Sequence, residues 1–311
     1  MPAPPRSRSP LPASPPAPAT APGHLLREAG DPFPRDLHVV ARPPAAGWEG
    51  YGGPVVVLVH GSLDRAASFT RTVRRLPEAW GCVAYDRRGY QGSRSSGPVP
   101  LEGHVDDLLA VAAAAAAAGG AGRSVVTVGH SMGGVVALGA ALAEPRRFTA
   151  VGAYEPPMPW LGFPREGAPA SQDAPPADPA AEAERFFRRM VGDGAWERLS
   201  GAAKASRRED GPALVAELAS LRRGAPAPFD VTALTVPVVF GCGGPATEPR
   251  RRRTAAWLAE HVAGGHLVEI PQAGHGAHLG HPTAFADLVR ATVALGSPDG
   301  GQPPRRGGPD R

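Results

Sequence analysis

A serine with glycine two places to either side, Gly129-His130-Ser131-Met132-Gly133, stands between an apolar β-branched run beginning at Val125 and an Ala/Val/Leu-rich stretch reaching Leu138. The first pattern is that of a buried strand and the second that of a helix, so the serine occupies the turn between them. Strand and helix backbones nearly touch at such a turn, and glycines at the two flanking places leave the room this requires. The turn strains the serine backbone and lifts its hydroxyl above the sheet edge. The helix that follows aims its first amides at the same spot, where a developing oxyanion would sit. Ser131 is therefore read as a nucleophile. The pentapeptide alone arises easily by chance in a chain with 40 glycines among 311 residues. The reading needs a base, an acid and a second oxyanion donor elsewhere in the chain.

A candidate for that donor follows Val55–His60, VVVLVH, an uninterrupted apolar run of the kind buried on both faces of a parallel sheet. It ends in His60-Gly61 and then Ser62-Leu63-Asp64. Glycine lets this loop approach a substrate closely, so the Ser62 amide is the candidate. His60 is read as a hydrogen-bonding group under the loop rather than as a base. Asp86, beside Arg87 and Arg88 in a glycine-rich turn, reads as an ion-paired brace. His275, His278 and His281 recur at three-residue steps and mimic a metal cluster. Such steps in a glycine-containing loop do not converge on one ion as two histidines at helical i, i+4 spacing would, so no metal site is assigned.

The elements that position these residues alternate. Strands are expected at Asp36–Ala41, Val55–His60, Cys82–Tyr85, Ser124–Gly129, Thr149–Tyr154, Val236–Phe240 and His266–Ile270. Helices are expected at Arg65–Leu76, Leu101–Ala118, Met132–Ala143, Glu248–Val262 and Pro282–Leu295. Residues 24–155 and 231–295 form one α/β core. Residues 156–230 depart from the alternation, with a Pro/Ala-rich loop (Gly162–Pro179) and helices at Ala180–Val191, Gly194–Arg207 and Pro212–Arg223. They read as an insertion over one end of the sheet. Phe186, Phe187, Met190 and Trp196 lie there at helical spacing, more in keeping with packing the insertion onto the core than with lining a pocket. Residues 1–23 and 296–311 are rich in Pro and Gly and read as disordered tails.

Composition excludes several classes. The net charge is +4, and Lys204 is the single lysine among 33 basic residues. So mild a charge does not call for nucleic acid, and Arg250–Arg253 reads as the solvated start of a helix. Two cysteines, Cys82 and Cys242, make no disulfide framework. The N-terminus lacks the apolar segment of a secretory signal and no run is long enough to span a bilayer, so a cytoplasmic location without membrane association is expected.

His60-Gly61, YDRRGYQGS, GHSMGG and AGHGAHLGHP, in that order, resemble the α/β-hydrolase family over roughly Asp36 to Leu295. The resemblance implies a mostly parallel sheet of about eight strands with helices on both faces and a helical cap, here residues 156–230. Aligned on Gly274 and Pro282, the family's final motif makes His275 the base and leaves His278 and His281 in supporting or surface positions. Its mechanism implies acyl transfer, with the Ser62 and Met132 amides holding the oxyanion, and it needs neither cofactor nor metal. A serine hydrolase cleaving an ester, thioester or related acyl bond of a small molecule is the leading reading. The alternatives are a cofactor-free haloperoxidase- or oxygenase-like enzyme and a non-catalytic ligand receptor on the same fold. The acid departs from the common pattern, which places it three residues after a glycine aligned with Gly243, on Ala246. Alanine cannot serve. Glu248 is nearest, but the dipole of the helix it opens accounts for it. Other members carry the acid at the end of the strand after the elbow helix, where this chain has Glu155. Glu155 is taken as the acid, against Glu248 and against a plain ion pair from Glu155 to a cap arginine.

Overall fold

Val55–Val59 (β3) offers no polar side chain to either face, and neither face meets solvent: its five residues are all buried. Alternation along the strand sends Val55, Val57 and Val59 into one apolar cluster and Val56 and Leu58 into another, so helices must cover both sides of the sheet. The structure is a computed structural model describing residues 26–119, 125–163, 178–221, 226–245 and 247–297. Its sheet has eight strands: Arg27–Glu28 (β1), Val39–Arg42 (β2), β3, Gly81–Tyr85 (β4), Val125–His130 (β5), Phe148–Tyr154 (β6), Val238–Gly243 (β7) and Gly265–Ile270 (β8). Their spatial order is β1-β2-β4-β3-β5-β6-β7-β8. The pairings of β1 with β2 and of β2 with β4 are antiparallel, and all others are parallel.

Thr70–Val73 (α1) begins the helices of one face, and Leu101–Ala118 (α2) and Met132–Ala143 (α3) lie on the other. Between β6 and β7, the described residues form Pro179–Val191 (α4), Asp193–Glu197 (α5), Gly201–Glu209 (α6) and Gly211–Ser220 (α7). Pro249–His261 (α8), the short Ala277–Gly280 (α9) and Pro282–Leu295 (α10) complete the helices. Helices α2, α3 and α8 bury their apolar sides against the first cluster, while α1, α9 and α10 close the second. A third, smaller cluster joins Ala183, Ala213 and Leu214 to Leu63 and Tyr90, with Phe186 and Phe187 packed against it. It fastens α4 and α7 onto the loops after β3 and β4.

Several expected elements are redrawn. The helix expected at Arg65–Leu76 is a 3-10 turn, Ala66–Phe69, followed by the single turn of α1. The helix expected at Gly194–Arg207 breaks in two, because Ser200 caps α6 by accepting from the Ala203 amide at 3.2 Å. Arg42 ends β2 buried, its guanidinium donating to the carbonyls of Val73, Leu76, Pro77 and Trp80. The turn at Asp86 is braced differently from the expectation. Asp86 accepts from the Ala66 and Gly92 amides and from His38 Nδ1, while Arg87 pairs with Glu217 and Arg88 with Asp36 and Asp107. The expected tail 1–23, the expected tail 296–311 beyond Ser297, and most of the loop expected at Gly162–Pro179 lie outside the described residues. No helix among the described residues is long and apolar enough to cross a membrane.

Candidate active site

The elbow is built by close approach. A Cβ on Gly129 would lie 2.1 Å from the Gly133 carbonyl oxygen, and one on Gly133 would lie 2.2 Å from that of Val59. Both distances are far inside van der Waals contact, so neither position tolerates a side chain. Ser131 sits between them at φ 53°, a left-handed conformation that L residues other than glycine rarely adopt. Its amide donates to the Tyr154 carbonyl at 2.8 Å, which carries the β5–β6 ladder one residue past the strand. The next strand ends in the same way. Glu155 has φ 46° and donates its amide to the Gly241 carbonyl of β7 at 2.9 Å.

These two strand ends and the loop after β8 bring together three residues far apart in sequence. His275 Nε2 lies 3.1 Å from Ser131 Oγ, and His275 Nδ1 lies 2.7 Å from Glu155 Oε2. With Nδ1–H donating to the carboxylate, the Nε2 lone pair faces the serine hydroxyl, as a base requires. The loop holding His275 is pinned at two carbonyls: Tyr154 O–H donates to that of Gly274 at 2.8 Å and His130 Nε2 donates to that of His275 at 2.7 Å. His60 lies under the opposite loop as expected, donating Nδ1–H to the Gly61 carbonyl and accepting the Arg87 amide at Nε2.

Glu155 is fully buried and both carboxylate oxygens are doubly engaged. Oε1 accepts from the Gly243 amide at 2.8 Å and Thr247 Oγ1 at 2.7 Å, and Oε2 from His275 and Arg251 Nη1, the latter at 3.2 Å. Burial alone would raise its pKa. The hydrogen bond and charge of His275, with Thr247 and Gly243, overcome burial and hold the carboxyl down at about 2. His275 is shifted the other way from the usual effect of a carboxylate partner. Burial, the largest cause, lowers it, with the charges of Arg251 and His278 acting in the same direction, and the hydrogen bond and charge of Glu155 oppose this without overcoming it.

Glu248 takes a different place. It is the residue before α8 and its Oε2 accepts from Arg251 at 3.3 Å, which leaves it one side chain removed from Glu155. Among the described residues, the ion-pair partner of Glu155 is Arg251 of α8 and not an arginine of residues 156–230. The reading of Arg250–Arg253 as wholly solvated fails at Arg251, whose side chain is only 15% exposed. Ala246 itself lies outside the described residues. The loop holding Ser62 presses on the elbow, since a Cβ on Gly61 would lie 3.0 Å from Ser131 Cβ. Met132, buried, is the first residue of α3, so its amide belongs to the first turn, whose N–H groups have no intrahelical acceptor.

Sequence reasoning did not find Thr247 or Arg251 as partners of Glu155, nor the role of His278. His278 is buried in α9 and its Nε2 lies 2.9 Å from Asp64 Oδ2, with its ring centroid 4.2 Å from that of His130. Asp64, His130 and His278 bring ligand-type atoms within 4.8 Å of one another, a different trio from the one suggested by the three-residue spacing. In this arrangement the His278 and His130 Nε2 atoms are already engaged, with Asp64 and with the His275 carbonyl. His281 precedes α10 and accepts the Phe285 amide at its carbonyl. Phe187 packs against Trp196 at 5.4 Å, within the insertion, and Met190 Sδ accepts from Arg251, which ties α4 to α8.

The alpha/beta hydrolase family model matches residues 56–288. No curated protein matches the sequence. Among solved structures, the enol-lactonase from Burkholderia xenovorans LB400 is similar at 19% identity and a TM-score of 0.60, over 83% of this chain and 96% of its own. A carboxylesterase from Bacillus subtilis is similar at 18% identity and 0.59, over 86% and 90%. A hydrolase from Pseudomonas aeruginosa PA01 is similar at 20% identity and 0.58, over 83% and 94%. At such identities the likeness is one of fold.

Proposed function

Because the chain belongs to the alpha/beta hydrolase family, we propose that it is a serine hydrolase cleaving an ester, thioester or related acyl bond of a small molecule through an acyl-enzyme. The observation that carries this reading is the unbroken path from Ser131 Oγ through the His275 ring to Glu155 Oε2, on three loops at one edge of the sheet. His275 Nε2 takes the serine proton as Oγ attacks the carbonyl, and Glu155 stabilises the imidazolium that results. The Ser62 and Met132 amides take the oxyanion. His275 returns the proton to the leaving group and then activates water to release the acyl chain. Esterase, lactonase and hydrolase neighbours on the same fold are in keeping with this chemistry.

The test is turnover of 4-nitrophenyl esters of graded chain length together with labelling by a fluorophosphonate. Ser131→Ala should fold, lose the label and lose at least about 10³-fold in kcat. Activity within tenfold of wild type in that variant would sink the reading. Labelling without turnover of any acyl compound would favour a ligand receptor instead.

A further inference from the structure

We propose that Arg87 and Glu217 are positioning residues of the oxyanion hole: acting through His60, they fix the peptide that offers the Ser62 amide, so helix α7 of the insertion sets the rate of acyl transfer. The inference rests on the hydrolase reading and adds to it two residues outside the path from Ser131 to Glu155. The Gly61 carbonyl and the Ser62 N–H belong to one planar trans peptide and point in opposite directions, so whatever holds the carbonyl also aims the amide. His60 Nδ1–H holds it, at 2.7 Å. The His60 ring is fixed in turn, because Nε2 accepts the Arg87 amide at 2.8 Å, which leaves the ring proton on Nδ1. The preceding peptide is pinned as well. Arg87 Nε donates to the His60 carbonyl at 2.9 Å, and that carbonyl faces the elbow, since a Cβ on Gly133 would lie 2.6 Å from its oxygen.

Helix α7 grips this loop on both sides of the Gly61–Ser62 peptide. On one side Glu217 Oε2 accepts from Arg87 Nη1 at 2.8 Å, with both side chains wholly buried. On the other, Ala213 and Leu214 pack in the cluster that holds Leu63, whose φ of 53° is a strained value that persists only where the surroundings enforce it. Stability alone is a poor reason for the ion pair. Among the described residues Arg87 Nη2 and Glu217 Oε1 find no hydrogen-bond partner, and two buried charges recover their desolvation only when such groups are satisfied. What the pair secures is the aim of the Ser62 amide. A donor directed at a developing oxyanion acts only when it is already aligned, and losing one costs about 10²–10³-fold in kcat.

The experiment measures kcat and KM for 4-nitrophenyl butyrate, melting temperature, and inhibition by butyl trifluoromethyl ketone, whose serine adduct places an oxyanion on the same amides. Arg87→Met should lose about 10–100-fold in kcat with KM within about threefold, and should weaken the ketone in proportion. Glu217→Gln should move both in the same direction by a smaller factor. The discriminating variant is Arg87→Met/Glu217→Leu, which removes both buried charges and should regain most of the melting temperature lost by Arg87→Met while kcat and ketone affinity stay low. Recovery of kcat along with stability, or wild-type kcat in the folded double variant, overturns the proposal and leaves the hydrolase reading standing. Should the double variant fail to fold, a folded Glu217→Gln with wild-type kcat and ketone affinity overturns it instead. If the wild type turns over no ester, the hydrolase reading fails and the Ser62 amide resonance of the full chain decides: it should shift in Glu217→Gln and stay in place in Leu258→Ala, a buried α8 control. A Ser62 resonance unmoved by Glu217→Gln overturns the positioning role whatever the chemistry proves to be.

Discussion

Replacing Glu155 by glutamine separates two things that one carboxylate does. Oε1 already accepts two hydrogen bonds, from Gly243 and Thr247, so the amide oxygen stays there and the NH2 group is turned toward His275 Nδ1 and Arg251. Donor then faces donor. The imidazole responds by moving its proton to Nε2, which removes the lone pair from Ser131, and kcat should fall by about 10⁴-fold, or about 5 kcal/mol. Stability should fall too. The interval between the ordinary glutamate value of 4.5 and about 2 corresponds to about 3 kcal/mol. Since the folded value is the lower one, that stabilisation is fully present above 4.5 and disappears as pH falls toward 2. Steady-state hydrolysis of 4-nitrophenyl butyrate and circular-dichroism melts at several pH values read both effects. Folded Glu155→Gln within tenfold of wild-type activity, or a melting difference as large at about pH 3 as at about pH 7, refutes the reasoning. Glu248→Gln, which touches Arg251 and not the ring, should stay within about threefold.

His275 must be neutral to act as a base, so activity should fall as pH drops through its pKa; because burial lowers that pKa, the midpoint should lie below 6.5, and a midpoint above about 7 would contradict it. Gly133→Ala would drive a methyl group into the Val59 carbonyl and should cost at least about 3 kcal/mol in a denaturant titration. Arg87 and Glu217 are paired at 2.8 Å with both side chains wholly buried, so Arg87→Met should destabilise by about 3–5 kcal/mol; a loss under about 1 kcal/mol would show that Glu217 finds another partner.

The parts of the fold visible in the sequence are those where one physical requirement dominates. β3 and β5 announce themselves because strands buried on both faces have few polar positions, and the elbow because two backbones in contact admit only glycine. β1 is two exposed residues with no pattern to read, and β2 ends in an arginine whose type assigns it to solvent until it meets four carbonyls. The candidate site divides along the same line. Ser131 follows from local spacing, whereas His275 and Glu155 rest on a family resemblance, because their meeting depends on sheet order and not on neighbours in the chain. Arg251 escapes a sequence reading for a related reason: a run of four arginines does not say which one faces inward.

The non-glycine residues with positive φ among those described are Leu63, Gln91, Ser131 and Glu155. Each follows the carboxyl end of a different central strand, so backbone tension is concentrated along the rim where the proposed chemistry takes place. At about 1–3 kcal/mol apiece, it is comparable with the whole net stability of an ordinary domain. The densely packed sheet beneath therefore serves as more than a platform; its surplus cohesion keeps an unfavourable rim from relaxing. A glycine at Ser131 would suit the backbone better than the native residue, and a chain selected for endurance alone would drift toward a robust protein with an inert rim.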